Sequence, residues 1–322
     1  MRRSERERGA ALLTVLLLVA VIAVMAATAL ERLRLSTRLA ANAVALDAAR
    51  GYAYAAETLA TTRVTTLLGQ SRDRVALTGG WSGRPFGLPI PGGSATARVS
   101  DGGNCFNLNS LVTRGPDGGY VVNALAVTQF EGLMRVLRVP DGPAIAAAAA
   151  DWIDSDDVPL PGGAEDSSYR GYRTGGGLMA DVSELRAVQG VTAESYAIVR
   201  PWLCTLPLAE RSVININTLL PEQAPLLAML LPDALSVEQA QSVLLRRPPD
   251  GYASVDPLWT QFSTATGGAP DIGARQQTAV KTIWFALSID VVNGSAELHE
   301  EGLIDARTLP VRLVTRQWGD AP

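Results

Sequence analysis

The residues best able to do chemistry lie between Asp151 and Asp166. Asp151-Trp152-Ile153-Asp154-Ser155-Asp156-Asp157 is followed, after a Pro/Gly turn from Pro159 to Gly163, by Glu165 and Asp166, so six carboxylates fall within 16 residues. Clustered carboxylates repel unless they are solvated or bind a metal. With backbone carbonyls they form an all-oxygen donor set, which suits a hard cation such as calcium with its roughly six to eight oxygen ligands. Asp151 and Asp154 are three residues apart, so one face of a helix end presents both. Asp156 and Asp157 then fall in the loop, and the glycines let the chain fold back to bring Glu165 and Asp166 near. The spacing is not that of an EF-hand. Two readings stand at this point: a solvated acidic loop, or a structural cation site that holds a long loop closed. A third is a calcium-dependent hydrolase, since a carboxylate pair can cleave glycosides and Trp152, Tyr169 and Tyr172 are close by. The rest of the chain supplies a poor active-site inventory for it.

Elsewhere chemistry is sparse. His299 is the only histidine and sits among Glu297, Glu300 and Glu301 on a polar strand face, which removes His-rich zinc sites and reads as an exposed strand histidine. No Cys-x-x-Cys, P-loop or Gly-x-Ser-x-Gly occurs. Lys and Arg number 28 against 32 Asp and Glu, a net charge of -4 that disfavours a nucleic-acid binder. Asn215-Ile216-Asn217-Thr218 followed by two helices is similar to helix-hairpin-helix modules. The turn Leu230-Leu231-Pro232-Asp233-Ala234-Leu235 lacks the Gly-x-Gly that meets a phosphate, and only Arg246 and Arg247 are close. A structural helical pair is expected, with a DNA-handling pilus or competence accessory as the alternative.

The elements that must position these residues start with the N-terminus. Residues 1–9 carry four arginines against two glutamates, and the 21 residues from Ala10 to Leu30 carry no charge. As a helix that run spans roughly 31 Å, about one bilayer core. The positive flank keeps the start cytoplasmic and the rest exported. The run is too long for a cleaved signal peptide, and its helical pattern continues through Leu33, Leu35, Leu39, Val44 and Leu46, predicting one helix from about 10 to 68. Residues 69–103 are loop-like with a strand at 94–100, and a second strand falls at 105–108. Helices are expected at 123–138, 143–154, 182–188, 192–202, 221–231, 236–247 and 255–262. From Lys281 the period becomes two: Phe285, Leu287, Ile289 and Val291 share a face, and Asn293-Gly294 signals a hairpin in an antiparallel meander. Export predicts a disulfide between Cys105 and Cys204, two buried thiols being the alternative.

A basic leader ending in Gly9, then Ala10, then an apolar helix that runs on as an amphipathic stalk resembles type IV pilin-like proteins. In that class a prepilin peptidase cuts after the glycine and methylates the new N-terminus, here Ala10. Most members carry Glu at the fifth mature position; this chain has Thr14 there, as the minor pseudopilin K family of type II secretion typically lacks that glutamate. A membrane-buried carboxylate is costly unless paired, and a tip subunit has no subunit ahead to pair with. Cys105-Phe106-Asn107-Leu108-Asn109, the acidic stretch, Val213-Ile214-Asn215-Ile216-Asn217-Thr218 and the closing strands from Trp284 extend the resemblance over nearly the whole chain. It implies an α+β fold: a pilin-like long N-terminal α-helix packed on a small antiparallel sheet, interrupted by a large all-helical insertion. The expected division is a leader at 1–9, a transmembrane segment at 10–30 with a stalk to about 68, a core at 69–120 and 281–318, and the insertion at 121–280. The resemblance implies a structural inner-membrane protein with a periplasmic bulk and no catalytic residues, placed at the tip of the secretion pseudopilus. The implied partners are minor pseudopilins I and J, then minor pseudopilin H and major pseudopilin G. Calcium is implied through Asp154, Asp156, Asp157, Glu165 and Asp166, with Asp151 added by its spacing. Asp181, Ser183 and Glu184 resemble another stretch of the family.

Overall fold

The computed structural model describes residues 2–70, 73–231, 233–266 and 272–319, with the backbone course alone at 2–9 and 265–266. Pro232 of the helical turn and the tail at 320–322 lie outside the described residues. The elements in chain order are α1 (Arg2–Gln70), β1 (Phe86–Ile90), β2 (Gly93–Asp101), β3 (Phe106–Asn107), β4 (Val112–Arg114), β5 (Tyr120–Val122), α2 (Ala124–Val136) and α3 (Gly142–Ile153). There follow α4 (Ala193–Val199), β6 (Leu203–Cys204), β7 (Ile214–Asn215), α5 (Pro225–Ala228), α6 (Val237–Leu245), α7 (Asp256–Thr266), α8 (Ile272–Gln276), β8 (Thr278–Ala279), β9 (Trp284–Asn293), β10 (Ala296–Asp305) and β11 (Arg312–Trp318).

Helix α1 has two unlike halves. From Ala10 it is long and apolar enough to cross a membrane, and its apolar window makes no burial within the chain. The two hydroxyls of that window are satisfied locally, Thr14 Oγ1 donating to the Ala11 carbonyl at 2.8 Å and Thr28 Oγ1 to that of Met25 at 2.9 Å. Hydrocarbon requires just this, since it offers no hydrogen-bonding partner. The distal half buries Ala49, Ala53, Ala56, Ala60 and Val64, a stripe at intervals of three and four. These small residues let the helix lie close on the sheet, against Ala95, Ala97, Val99, Phe285, Leu287, Ile289, Val291 and Ile304.

The sheet is antiparallel in the order β1-β2-β9-β10-β11. Strand β9 keeps the expected alternation, with Phe285, Leu287, Ile289 and Val291 all buried. The hairpin closes one residue later than Asn293-Gly294: Asn293 pairs with Ala296, so Gly294 (φ 59°) and Ser295 form the turn. Glycine at the first turn position suits the two-residue turn that matches strand twist. Strand β1 lies where a loop was expected. Gly87 and Pro89 mask its pattern, and proline is tolerated because β1 is an edge strand.

Between β2 and β9 the chain builds a second body with its own core, from Phe106 and Leu108 through Phe130, Leu133, Ala146–Ala150, Leu226, Leu227, Trp259 and Phe262. That core takes in Phe106, Leu108, Leu111 and Val112, ahead of residue 121. The body is not purely helical. Strand pairs β3–β6, β4–β5 and β7–β8, two or three residues long, stitch its helices together and are too short to show a period in sequence. The expected helices at 182–188 and 221–231 are tighter: 182–187 is one 3-10 run, and 221–228 splits into a 3-10 turn and α5.

Candidate metal centre

Helix α3 begins with a proline in its first turn, where a missing N–H costs nothing, and buries the whole run from Ala146 to Asp151. Its C-terminus delivers two acids. Asp151 lies in the last turn, and Asp154 follows the helix in an extended conformation, its N–H still donating to Ala150. The chain then loops outward and returns through Gly162 (φ 82°) and Gly163. Asp151 organises that return: Leu160 N–H donates to both carboxylate oxygens at 3.2 and 3.1 Å, and Ala164 N–H to Oδ2 at 2.7 Å. A Cβ on Gly163 would stand 1.9 Å from Asp151 Oδ2, so only glycine fits there. The loop thereby drops Glu165 beside the helix end, and one oxygen each from Asp151, Asp154 and Glu165 lies within 4.8 Å of the others.

All three acids are buried, at 0%, 3% and 3% exposure for Asp151, Asp154 and Glu165. Asp154 Oδ1 and both oxygens of Glu165 accept no hydrogen bond. Burial first, then the charge of Glu165 and neighbouring aspartates, pushes Asp154 up to about 7. Burial and then Asp151 and the loop aspartates push Glu165 up to about 7 as well. Burial also raises Asp151, with the Leu160 and Ala164 amides pulling the other way. Buried carboxylates that face one another, with Asp154 Oδ1 and both Glu165 oxygens lacking donors, are the environment a cation relieves, and an oxygen-only set matches a hard divalent ion. This triad can therefore hold a metal.

The other expected ligands fall outside the triad. Asp156 is exposed and accepts from Val158 N–H at 2.8 Å, and Asp157 is exposed. Asp166 accepts from Thr174 N–H and Oγ1, both at 2.9 Å, which lowers its carboxyl. It staples the following loop. Asp181 and Glu184 form a capping box for the 3-10 run, Glu184 Oε1 accepting from Ala180 N–H at 2.6 Å. Trp152, Tyr169 and Tyr172 pack on one another with centroids 5.2–6.1 Å apart.

Cys105 and Cys204 are joined, with Cα atoms 5.8 Å apart across a separation of 99 residues. The bridge adjoins the β3–β6 pair. Around it runs a set of buried asparagines, Asn107, Asn109, Asn215 and Asn217 of the two Asn-x-Asn motifs together with Asn104, which the motifs do not include. Each serves as a side-chain version of a backbone ladder. Asn107 donates to Leu208 and Glu210 carbonyls and accepts from Leu206 N–H; Asn109 brackets Met179 with 2.7 and 3.0 Å bonds. Asn215 donates to Val75 O and Thr282 Oγ1, tying the second body to the α1–sheet unit. Half-buried Asp101 completes the joint, accepting from the Thr218 and Thr282 hydroxyls. The alternating Asn-x-Asn pattern was the available signal. Arg247 donates to Ile216 and Leu219 carbonyls at 2.8 and 2.6 Å, so one of the two basics weighed for DNA is spent internally.

The family model for type II secretion system protein K matches residues 104–208 in its first-domain form and residues 214–281 in its general form. The protein K of Pectobacterium carotovorum subsp. carotovorum is 33% identical over 98% of this chain and 97% of its own length. The chain belongs to the type II secretion system protein K family. Protein K of Klebsiella pneumoniae is likewise 33% identical, over 98% of both chains. A chain from the crystal structure of the GspK-GspI-GspJ complex of enterotoxigenic Escherichia coli superposes with a TM-score of 0.72 at 30% identity, covering 85% of this chain and 97% of that one. Protein K is a structural pseudopilin, not an enzyme, so the hydrolase alternative falls. The α+β fold, with the long helix on a five-stranded sheet, is that of the family. The apolar N-terminal half of α1 is consistent with a single-pass anchor.

Proposed function

We propose that this chain is a minor pseudopilin of the tip of the type II secretion pseudopilus, held in the inner membrane by α1 with its bulk in the periplasm. The observation that carries the reading is the near-full-length likeness to a chain solved together with GspI and GspJ. The split character of α1 supports it: the sheet-packed half fixes the head, while the free apolar half offers a surface to neighbouring helices. Partners on this reading are pseudopilins I and J at the tip, with H and G below. Prepilin peptidase removes residues 1–9 after Gly9 and methylates Ala10; α1 continues through that point, so the cut falls in helical backbone. The working division is a membrane segment at 10–30, a stalk to about 68, and a body inserted between β2 and β9.

The metal on this reading is calcium, held by Asp151, Asp154 and Glu165, with Asp156 and Asp166 bracing the loop and Asp157 exposed on it. Bound calcium supplies the positive charge that the triad lacks. The chain's own residues do the rest: Asp151 fixes the loop return, and Gly163 makes room for it. The test is co-purification of the full chain with pseudopilins I and J from detergent extracts, with and without a calcium chelator. A ternary complex in calcium, weakened by the chelator, is the expected result; no complex in calcium overturns the tip reading. Intact mass of the mature chain checks the processing, with loss of residues 1–9 and one added methyl expected.

A further inference from the structure

Where α1 crosses the sheet, three charged side chains meet: Glu300 and Glu57 are buried, and Arg316 covers them from the solvent side, its side chain 35% exposed. Glu300 of β10 is 0% exposed, and Glu57 of α1 faces it at 8%. Arg316 of β11 grips Glu57 with both ends of its fork, Nε to Oε1 at 2.5 Å and Nη2 to Oε2 at 2.7 Å. Its Nε lies 3.6 Å from Glu300 Oε1, too far for a hydrogen bond, and neither oxygen of Glu300 has a donor. The other groups packed here are Tyr54 of α1, whose ring lies 4.8 Å beneath the Arg316 guanidinium, Trp318 opposite Glu300 on β11, and Ile289 opposite it on β9. Among the described residues none of these brings a second cation.

Two carboxylates against one guanidinium leave one buried negative charge unmatched, and such a charge is strongly destabilising. A proton on Glu300 cancels it. It also supplies the missing donor, because the neutral acid donates its O–H to Glu57 while Glu57 keeps both bonds from Arg316. We infer that Glu57 and Glu300 bind one proton between them, and that this proton is a structural part of the joint between the stalk helix and the sheet. Burial, then the hydrogen bond and charge of Glu57, hold Glu300 up to about 8 against the pull of Arg316. The folded chain thus keeps a proton that the unfolded chain releases in the ordinary carboxylate range. The stabilisation is complete below that range, declines as pH rises through the window, and is gone above about 8.

The test is urea unfolding of the full chain in detergent micelles between about pH 6 and about pH 9, with Glu300→Gln beside the wild type. Wild type should lose stability by up to about tenfold in the unfolding constant per pH unit until Glu300 has titrated. Glu300→Gln keeps a donor toward Glu57 without the acid, so its profile should lack this component. Taking the difference between the two proteins removes His299 and the acidic triad, which titrate in both. Glu57→Gln is the second variant: it leaves Glu300 alone with Arg316 and should also flatten the profile. Infrared difference spectra near neutral pH, wild type minus each variant, give the direct readout: a protonated-carboxyl C=O band that remains after the shared contribution of Asp154 and Glu165 cancels. Parallel profiles for wild type and variants, or a difference spectrum with no protonated-carboxyl band, overturn the inference.

Discussion

Gly163 matters to the acidic triad through the side chain it lacks. With a Cβ position 1.9 Å from Asp151 Oδ2, Gly163→Ala must push the loop off its two anchoring amides. The expected cost is about 1–3 kcal/mol of stability, as for other overpacked sites, with weaker calcium binding alongside; urea unfolding and calorimetric titration check both. Asp154→Asn removes a triad oxygen that has no other partner, and calcium affinity should fall by at least about tenfold. Terbium emission sensitised by the adjacent Trp152 reports that loss. An unchanged signal would exclude Asp154 from the site. The acids themselves were visible in the sequence as a cluster. What the sequence did not show is which of them turn inward. Asp166 and Glu165 are neighbours with the same chemistry, yet Thr174 claims Asp166, and only the folded loop decides that.

At the scale of elements, two features tie the molecule together. The first is the alanine stripe of α1. Ala56→Leu inserts bulk where Ala56 is 2% exposed, and should cost about 1–3 kcal/mol by lifting the helix off the sheet; thermal unfolding of the variant measures it. The second is the bridge between Cys105 and Cys204, whose 99-residue separation gives an entropic contribution of at most about 4–5 kcal/mol. The double serine variant should lose stability within that bound, and identical unfolding curves would show the bridge to be idle. Long α1 and the β9–β10 hairpin were legible because their periods run for many residues, as in Phe285 to Val291. Strand β1 was not, since Gly87 and Pro89 replace the alternating signal with turn-like residues. The two-residue pairs such as β7–β8 carry no period at all; β7 is further held by side-chain bonds from Asn215 to Val75 and from Asn217 to Tyr252.

For the whole molecule, two cores give two units, the α1–sheet unit and the body set between β2 and β9. The triad belongs to the second. Calcium at about a hundred times its Kd adds about 2.7 kcal/mol to whatever unit binds it. Chelation should therefore lower the melting of the body in scanning calorimetry while the α1–sheet unit changes little. A uniform shift of both would show the units to be one cooperative block. The body's position between adjacent strands has a further consequence. Strands β2 and β9 are neighbours in the sheet, Gly93 paired with Asn293, though the entire body separates them in the chain. A polypeptide made from its first residue onward presents β2 with a bare flank until nearly all of it has emerged, and closing so distant a pair is slow. Completion of the head is thus a report that synthesis has finished. A chain cut short anywhere before Trp284 leaves that flank of β2 as an open edge, a template for pairing with another chain.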